Sequence, residues 1–398
     1  KMQEFLDKAD PGLRSRIPNI FEFEDYTPEV LTTIVRSKLR GLDTTPEFDK
    51  RLKLAVEHLY NMRNPSTFGN SRDMETMAGD IDALYRKLHK GCGPLDVDCI
   101  PERYLGSLQE ITPEREEKIL SEMNSLVGQD RMKEQLKTIL GNAKGQRKKI
   151  KRGISGNNVL NLTFLLVGNP GTGKTTVAQL LGKILYGFGL LSSDVVNIYT
   201  KDNIVSKYVG ESLQNVTKMF DESFGRVMFI DEAYMLAKDE HGREVLDQIT
   251  ANLTHPNYKG KMAVVMAGYT DEISQMLNSN AGLSSRFQYH IKFDDYTNDQ
   301  LWIILEQNLI KEGVQASKEA CKPYADAYFD EKRKTSDRFG NARECCNLQE
   351  QVISNQNNRI APFDNEDDDF LKTILPVDFP NYAELKRKIE LERGDITL

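Results

Sequence analysis

One octapeptide, Gly168-Asn169-Pro170-Gly171-Thr172-Gly173-Lys174-Thr175, constrains the fold of this 398-residue chain more than any other segment. It follows the apolar run 162–167, which is typical of a buried parallel strand, and precedes residues 177–186, which have the pattern of a helix. In that context glycines let backbone N–H groups turn toward phosphates, and the helix N-terminus adds partial positive charge. The segment therefore predicts a loop that binds the phosphates of ATP.

Within the loop, Lys174 is expected to reach the β- and γ-phosphates, and the Thr175 hydroxyl is expected to hold Mg²⁺. The predicted nucleotide-binding residues of this segment are Gly168, Asn169, Pro170, Gly171, Thr172, Gly173, Lys174, Thr175 and Thr176.

A second apolar run, 227–230, ends in the acidic pair Asp231 and Glu232. Asp231 is placed to hold Mg²⁺, and Glu232 is placed to orient and deprotonate the attacking water. Because both acids are present, the sequence predicts hydrolysis of ATP as well as binding.

Further strands are predicted at 195–199, 262–267 and 289–293. Helical patterns separate them, near 213–224, 244–253 and 271–277. This alternation predicts an α/β fold with a parallel sheet and helices on both faces. The nucleotide should then lie at the carboxyl ends of the strands.

An internal repeat relates the start of the chain to its second half, at an offset near 270 residues. The matched segments are Pro11–Arg16 with Ala281–Arg286, Phe23–Thr27 with Phe293–Thr297, Phe68–Arg72 with Phe339–Arg343, and Val97-Asp98 with Val377-Asp378. The second copy follows the phosphate loop and the first does not. We therefore expect residues 1–106 to be the C-terminal part of a first domain of the same type. A stand-alone helical domain of shared ancestry is the alternative.

The remaining boundaries follow from helix signals. Thr112-Pro113-Glu114 has the residues of a helix start, which predicts a linker helix within 107–125. Residues 126–296 are predicted to form the nucleotide-binding α/β subdomain. A helical lid is expected over 297–380, and a C-terminal tail over 381–398.

Bulk properties restrict the partners. The net charge of −7 gives no general attraction to nucleic acid or anionic membrane, and no apolar run is long enough to span a bilayer. The basic stretch 144–152 is interpreted as a solvated helix end, with nucleic-acid contact as the alternative. The acidic run 364–369 is interpreted as a solvated loop, because its spacing fits no Ca²⁺ loop.

Five cysteines, in no spacing typical of zinc sites, are interpreted as reduced thiols. They indicate an intracellular protein of the cytoplasm or nucleus. The adjacent pair Cys345-Cys346 is interpreted as helix packing and not as redox chemistry.

With these pieces in place, the chain resembles the AAA+ ATPases, and more narrowly the CbxX/CfqX (CbbX-like) group. The motifs that carry the resemblance are 168–178, Phe-Ile-Asp-Glu-Ala-Tyr at 229–234, Ala-Gly-Tyr at 267–269, Gly-Leu-Ser-Ser-Arg-Phe at 282–287 and Asn-Ala-Arg at 341–343. The likeness covers residues 120–380 and, as a second partial domain, 1–106.

The resemblance implies roles for further residues. Arg286 matches the arginine finger that completes the site of a neighbouring subunit, and a surface ion pair is the alternative. Arg343 matches the sensor-2 arginine of the lid, with a helix-start arginine as the alternative. Arg16 and Arg72 are their counterparts in the first copy. Val127-Gly128 resembles the segment that lies over the adenine.

Lys207-Tyr208-Val209-Gly210-Glu211 resembles the first pore loop, in which an aromatic residue grips an extended polypeptide. The predicted pore-loop residues are Tyr208, Val209 and Gly210, although Tyr208 could pack locally. The chain departs from the broader family at sensor 1, where Gly268-Tyr269 replaces the usual Asn or Thr.

The resemblance implies an ATP-driven motor that forms a homo-oligomeric ring of six subunits and remodels or threads a protein substrate, with ATP and Mg²⁺ as cofactors. Red-type Rubisco activases of this group act in that way, but nothing in the sequence identifies the substrate here. The alternative is a nucleotide-dependent scaffold or switch, with nucleic-acid association through 144–152 as a variant.

Overall fold

The computed structural model describes residues 21, 23–61, 63, 68–90, 92–105, 113–151, 161–206, 209–363 and 367–381. The chain divides into two compact units, Lys1–Arg63 with Phe68–Tyr104, and Asn64–Thr67 with Leu105–Leu398. Several predicted features lie outside the described residues: Arg16, Thr112, Lys207, Tyr208 and the tail beyond 381. Among the described helices, none is both long and apolar enough to cross a bilayer.

The first unit is helical. Its helices are α1 (Pro28–Lys38), α2 (Pro46–Asn61) and α3 (Ser71–His89), followed by short 3₁₀ helices at Val97–Cys99 and Glu102–Tyr104. Helix α1 begins with proline at its first position after Thr27, where the missing N–H costs nothing. Its buried face, Leu31 and Val35, packs against α2 and α3.

The second unit contains a five-stranded parallel sheet in the order β2-β3-β4-β1-β5. The strands are β1 (Thr163–Val167), β2 (Val196–Tyr199), β3 (Val227–Ile230), β4 (Ala263–Gly268) and β5 (Tyr289–Lys292). The helices of this region are α4 (Pro113–Ser125), α5 (Asp130–Lys151), α6 (Lys174–Gly187), α7 (Lys201–Ile204), α8 (Val209–Glu222), α9 (Glu240–Thr254), α10 (Thr270–Ser279) and α11 (Ala281–Ser284). A 3₁₀ helix spans Ala233–Lys238.

Alternating side chains of β1 show why the sheet has helices on both faces. Phe164 and Leu166 belong to a core shared with α4, α5 and α6, whereas Leu165 belongs to a core shared with α8, α9 and α10. Successive residues of a strand point to opposite faces, so a wholly apolar strand must be covered twice. The predicted parallel sheet with flanking helices is therefore confirmed.

A helical subdomain follows the sheet. It contains α12 (Asn298–Lys311), β6 (Gln315–Ala316), α13 (Lys318–Thr335), α14 (Ala342–Ile360), α15 (Asp368–Lys372), β7 (Thr373–Ile374) and a 3₁₀ helix at Pro376–Asp378. Thr297 caps α12 by accepting from Gln300 N–H, and the Gln300 side chain returns the bond to Thr297 N–H. Trp302, Leu305 and Phe329 are among the buried side chains of its core.

The first unit and the helical subdomain of the second unit share unusual local geometry. Asn70 before α3 and Asn341 before α14 both have left-handed φ, 47° and 50°, with ψ of −112° and −124°. In each case the asparagine Oδ1 accepts a backbone N–H, from Tyr26 over 3.0 Å and from Tyr296 over 2.9 Å. These matched bonds support the repeat that the sequence predicted.

The closing segment of the repeat is out of register with the sequence match. The parallel bridge of Thr44 with Leu95 corresponds to the pairing of Ala316 with Ile374 in β6–β7. Counting from these pairs, Cys99 corresponds to Asp378 because each is the third residue of its 3₁₀ helix. The prediction that paired Val97-Asp98 with Val377-Asp378 is therefore wrong by one residue.

Two charged runs lie at helix ends in the second unit. The basic stretch continues α5 as far as Lys151, and Lys144 is half-buried, paired with Glu116 and about 6.0 Å from the Phe188 ring centre. In the acidic run, Asp367 caps α15 by accepting from Phe370 N–H. The basic stretch is thus a helix end with Lys148 and Lys149 exposed, as interpreted, whereas the described part of the acidic run, 367–369, caps and begins a helix and is not a loop.

The cysteines are all unpaired thiols. Cys345 is buried in the lid core and Cys346, the next residue of α14, is exposed. Their adjacency reflects the two faces of one helix, as predicted for helix packing.

Candidate nucleotide-binding and hydrolysis site

The phosphate loop leaves the carboxyl end of β1 and enters α6. Gly171 and Gly173 have φ of +69° and +95°, a region that L side chains rarely adopt. A Cβ on Gly171 would also lie 2.0 Å from the Gly340 carbonyl oxygen. The loop therefore requires glycine at this position both for its own conformation and for contact with the lid.

A cleft of about 410 Å³ opens between this loop, the ends of β3 and β4, and the first turn of α14. The predicted residues that line it are Pro170, Gly171, Gly173, Lys174, Thr175, Thr176, Asp231, Glu232 and Arg343. Gly268, Tyr269, Ala342 and Cys346 complete the lining. Gly168, Asn169 and Thr172 belong to the loop but do not line the cleft.

Lys174 is partly buried at the centre of the loop. Its Nζ donates to the carbonyl oxygens of Gly168 over 2.9 Å and Asn169 over 2.8 Å. Burial lowers the pKa of Lys174, and Arg343 adds to this effect, while Asp231 acts in the opposite sense. A cation held in a desolvated position gains strongly from an anionic ligand, which is the role predicted for this residue.

The acidic pair follows the end of β3. Glu232 N–H donates to Asp231 Oδ1 over 3.0 Å, which fixes the Asp231 carboxylate. Glu232 itself has φ 48° and ψ 41°, a left-handed conformation that costs a non-glycine residue about 1–2 kcal/mol. Such strain is often kept at functional sites, and here it starts the 3₁₀ helix Ala233–Lys238.

The residues of the cleft fit a nucleotide with a hard divalent cation. Asp231 offers carboxylate oxygens and Thr175 a hydroxyl oxygen, the donor atoms that Mg²⁺ prefers, and both line the same cleft as Lys174. Mg²⁺ held by these two residues would neutralise negative charge that develops on the phosphates during hydrolysis.

Hydrogen bonds attach the lid to the phosphate loop. Asn341 Nδ2 donates to Asp295 Oδ1 over 2.7 Å, and Asn169 Nδ2 donates to the same carboxylate over 3.0 Å. Tyr296 Oη donates to the Thr172 carbonyl over 3.2 Å. Asp295 thus connects both sides of the cleft. Sequence reasoning used it only as part of a repeated motif.

The first turn of α14 brings Arg343 to the cleft, and Ala342 and Cys346 with it. Sequence reasoning did not assign Ala342 or Cys346 to the site. The helical spacing of Cys346, three residues after Arg343, could have indicated that the two share a face.

Tyr269 occupies the position predicted as sensor 1. Its ring centre lies 5.8 Å from Lys174 Nζ and 4.0 Å from the Arg338 guanidinium carbon. Arg338 also pairs with Glu272, an ion pair within the second unit that sequence reasoning missed. Burial raises the pKa of the neighbouring Tyr234 to about 12, so its hydroxyl stays protonated.

Arg286 does not line this cleft. Its carbonyl oxygen accepts from Asn161 Nδ2 over 2.9 Å and from Thr163 Oγ1 over 2.7 Å, so it lies where β1 begins. The phosphate loop begins where β1 ends. Arg286 Nη1 donates to the Gly282 carbonyl, and the buried Nε has no hydrogen-bond partner among the described residues.

Val127 and Gly128 also lie outside the cleft lining. Gly128 has φ +60°, and a Cβ on it would lie 2.6 Å from Gln300 Nε2 at the start of the lid. The next residue, Gln129, donates to the Asp294 carbonyl over 2.8 Å. This segment therefore contacts the connection between sheet and lid. Of the predicted pore loop, Val209 and Gly210 begin α8, while Tyr208 lies outside the described residues.

Comparisons with known proteins agree with this arrangement. Residues 164–295 match the family model for the ATPase family associated with various cellular activities (AAA), and residues 297–389 match that of the AAA lid domain. Stage V sporulation protein K of Bacillus subtilis is 33% identical over 262 residues, covering 65% of this chain and 79% of that protein. The chain is an AAA+ ATPase.

Other relatives place this AAA+ ATPase in the CbxX/CfqX group. A CfxQ homolog of Galdieria sulphuraria is 30% identical over 277 residues, covering 66% of this chain and 90% of the relative. A chloroplastic ribulose bisphosphate carboxylase/oxygenase activase of Cyanidioschyzon merolae is 32% identical over 286 residues, covering 69% and 90%. Both recognitions made from the sequence, the AAA+ family and the narrower group, are confirmed.

A structural neighbour extends the likeness in fold. The closed state of Hsp104 with ATPγS and casein superposes on 92% of the AAA+ chain and 69% of the Hsp104 chain, with a TM-score of 0.59 and 14% sequence identity. At that identity the match concerns the fold.

Proposed function

We propose that this AAA+ ATPase uses ATP and Mg²⁺ in a ring of six subunits to remodel or thread a protein substrate. The observation that carries the proposal is the meeting of Lys174, Thr175, Asp231 and Glu232 in one cleft. In the proposed reaction Lys174 binds the phosphates, and Thr175 and Asp231 hold Mg²⁺. Glu232 takes the proton of the attacking water, and Arg343 links nucleotide state to the lid.

Arg286 supports a site completed by a neighbouring subunit. It lies at the start of β1, a five-residue strand that separates it from the phosphate loop by about 13 Å at 3.3 Å per residue. Its buried Nε has no hydrogen-bond partner among the described residues, so a movement of the side chain toward an anionic group would break no Nε hydrogen bond. A guanidinium supplied in trans would stabilise charge on the transferring phosphoryl group.

A scaffold or switch that binds ATP without moving a substrate is the competing function. The nucleic-acid variant of that idea has one cation fewer to draw on, because Lys144 is already paired with Glu116. The retained Glu232 argues for turnover, since a switch that only binds nucleotide needs no general base.

Mixing two inactive variants tests the shared site. We expect Arg286→Ala and Glu232→Gln each to lower ATP turnover at least about 100-fold, since each removes transition-state stabilisation. Mixed at equal concentrations they should recover part of the activity, because a Glu232→Gln subunit can supply Arg286 to an Arg286→Ala cleft. A mixture as inactive as its components contradicts the shared site. Unchanged turnover in Glu232→Gln contradicts the hydrolysis mechanism.

Substrate movement needs a separate test. We expect Tyr208→Ala to keep basal ATP turnover and to lose unfolding of a tagged fluorescent protein substrate, while Tyr208→Phe, which keeps the ring, retains both. Equal unfolding by the Ala and Phe variants would favour the switch over the motor.

We further infer an intracellular location, in cytoplasm or nucleus. Five unpaired thiols support it, because secreted proteins commonly pair theirs. Fractionation of cells expressing a tagged chain checks this, with recovery in an organelle such as the plastid as the contrary result.

A further inference from the structure

Three side chains of different chemistry converge in the first unit. His89 ends α3, Asp96 precedes the 3₁₀ helix Val97–Cys99, and Cys99 ends that helix. His89 Nε2 lies 3.2 Å from Asp96 Oδ2, and Cys99 Sγ lies 3.4 Å from Asp96 Oδ1. The three ligating atoms all lie within 4.8 Å of one another. An imidazole, a carboxylate and a thiol are the side chains that bind Zn²⁺ in proteins.

The spacing suits a tetrahedral ion. With Zn–N and Zn–O bonds near 2.0 Å and Zn–S near 2.3 Å, neighbouring ligand atoms of a tetrahedron lie about 3.3–3.5 Å apart. The observed separations of 3.2 Å and 3.4 Å involve different oxygens of Asp96, and one atom from each residue lies within 4.8 Å of the other two, so binding an ion would draw the three ligand atoms closer together. Thiolate, carboxylate and neutral imidazole would also balance the two positive charges.

The surroundings hold the imidazole in place. The Tyr85 ring stacks on His89 with centres 5.6 Å apart and an angle of 25° between planes. Tyr85 Oη in turn donates to the Gly93 carbonyl over 2.8 Å, which ties the stacked ring to the connecting loop. Ligand orientation by such outer contacts is a regular part of metal sites.

The helical subdomain of the second unit, hereafter the second lid, provides an internal comparison. There the end of α14 is fastened to the 3₁₀ helix Pro376–Asp378 by Arg359, whose Nε and Nη2 donate to the buried Asp378 carboxylate. In the first unit Leu88 stands at the position of Arg359, and Cys99 at that of Asp378. The first unit therefore lacks this ion pair and instead places His89, Asp96 and Cys99 between the same two elements.

We propose that His89, Asp96 and Cys99 bind one Zn²⁺, which fastens the end of α3 to the following 3₁₀ helix. Cys99 is fully buried, whereas His89 and Asp96 are about one-third exposed, with side-chain exposures of 29% and 36%. The fourth position of the ion faces this exposed side and takes water. The site lies outside the nucleotide-binding unit and is independent of ATP hydrolysis.

Cobalt substitution of the 398-residue chain tests the site, because Co²⁺ bound to a thiolate has a charge-transfer absorption that Co²⁺ in an all-oxygen site lacks. The chelator-treated chain should take up about one Co²⁺ with this band, and Zn²⁺ should displace it. Cys99→Ser should abolish the band, and His89→Gln should weaken Zn²⁺ binding at least about tenfold. Absence of a thiolate band in the unmodified chain overturns the proposal.

Two variants serve as controls. Cys346→Ser removes the thiol of the nucleotide cleft, and Asp98→Asn changes an exposed acid beside Cys99; both should keep the band and one bound metal. If the band is lost in Cys346→Ser and kept in Cys99→Ser, the metal is bound by Cys346, and the proposed site is contradicted. If Cys99→Ser fails to fold by circular dichroism, His89→Gln decides: unchanged Zn²⁺ affinity in that variant also contradicts it.

Discussion

Asn341 Nδ2 donates to Asp295 Oδ1 over 2.7 Å, and Asn70 Nδ2 donates to Asp25 Oδ1 over the same distance in the first unit. Asn70 precedes α3 and holds an acid that precedes α1, and Asn341 precedes α14 and holds an acid that precedes α12. In the second unit the acid also accepts from the phosphate loop, through Asn169. The same local structure therefore has an added use where a nucleotide cleft is present.

Asp295 should couple the lid to nucleotide binding. Asp295→Ala removes the acceptor shared by Asn169 and Asn341, and hydrogen bonds to a charged group contribute about 1.5–3 kcal/mol each. We expect ATP to bind at least about tenfold more weakly, measured by titration with a fluorescent nucleotide. Asp294→Ala, at the exposed neighbouring acid, is the matched control and should bind normally. Equal affinity in both variants would show that the lid needs no such link.

The buried pair of Arg359 and Asp378 should dominate the stability of the second lid. Asp378 is 1% exposed, so Arg359→Leu leaves a buried carboxylate without its partner, at a cost of about 3–5 kcal/mol. Urea unfolding measures the loss. Lys372→Leu breaks the exposed pair with Asp368 and should change stability far less. Similar losses in both variants would mean that the Asp378 carboxylate is rehydrated when Arg359 is absent.

The protein should be more stable with glycine at position 232 than with alanine at that position. Its left-handed backbone costs an alanine about 1–2 kcal/mol relative to glycine, so Glu232→Gly should unfold at higher urea than Glu232→Ala. Both should lack ATP turnover. At exposed Lys218 within α8 the order should reverse, with alanine more stable by about 1 kcal/mol. The same order at both positions would argue against the left-handed geometry.

Nucleotide affinity should fall with rising pH earlier than an ordinary lysine predicts. Burial lowers the pKa of Lys174, so in the free protein its ammonium is lost at a pH below the usual lysine range. ATP binding needs the charged form, and affinity should therefore decline as pH rises through that lowered pKa. The Lys174→Arg variant stays charged, so its affinity for ATP should be weaker than that of the unmodified protein and should not change with pH. A decline shared by both proteins would assign the titration to another group.

The same lowered pKa sets the direction of a stability change. Folding disfavours the charged form of Lys174, so this penalty is complete below the folded pKa and disappears as pH rises toward the unfolded pKa. As the pH is raised, the free energy of unfolding of the nucleotide-free protein should therefore increase relative to that of the Lys174→Met variant. A constant difference between the two proteins across the alkaline range would contradict a desolvated Lys174.

The sheet and the cleft could be predicted from the sequence because their signals are local. Short apolar runs such as 227–230 are typical of strands buried on both faces, and the spacing of glycines in the phosphate loop leaves few other conformations. Five strands were expected, and the boundaries differ from β1–β5 by one residue or less.

Residues that depend on long-range contacts were missed. Arg338 reaches Glu272 across 66 residues, and His89 meets Cys99 only because a loop turns back on α3. The cysteines were judged by their spacing to one another, which cannot reveal a site that contains one thiol, one imidazole and one carboxylate. Both copies contain Val-Asp, and the sequence comparison therefore aligned these dipeptides. The alignment of Cys99 with Asp378, one residue away, became evident only from the bridge at Leu95.

Arg286 and the phosphate loop lie at opposite ends of β1, and this separation gives the subunit a polarity. If sites are shared as proposed, each subunit gives its arginine to one neighbour and receives an arginine from the other. Such heterologous contacts join subunits head to tail. An open row would leave one terminal cleft without its arginine and one arginine without a cleft, so only closure into a ring makes every site complete.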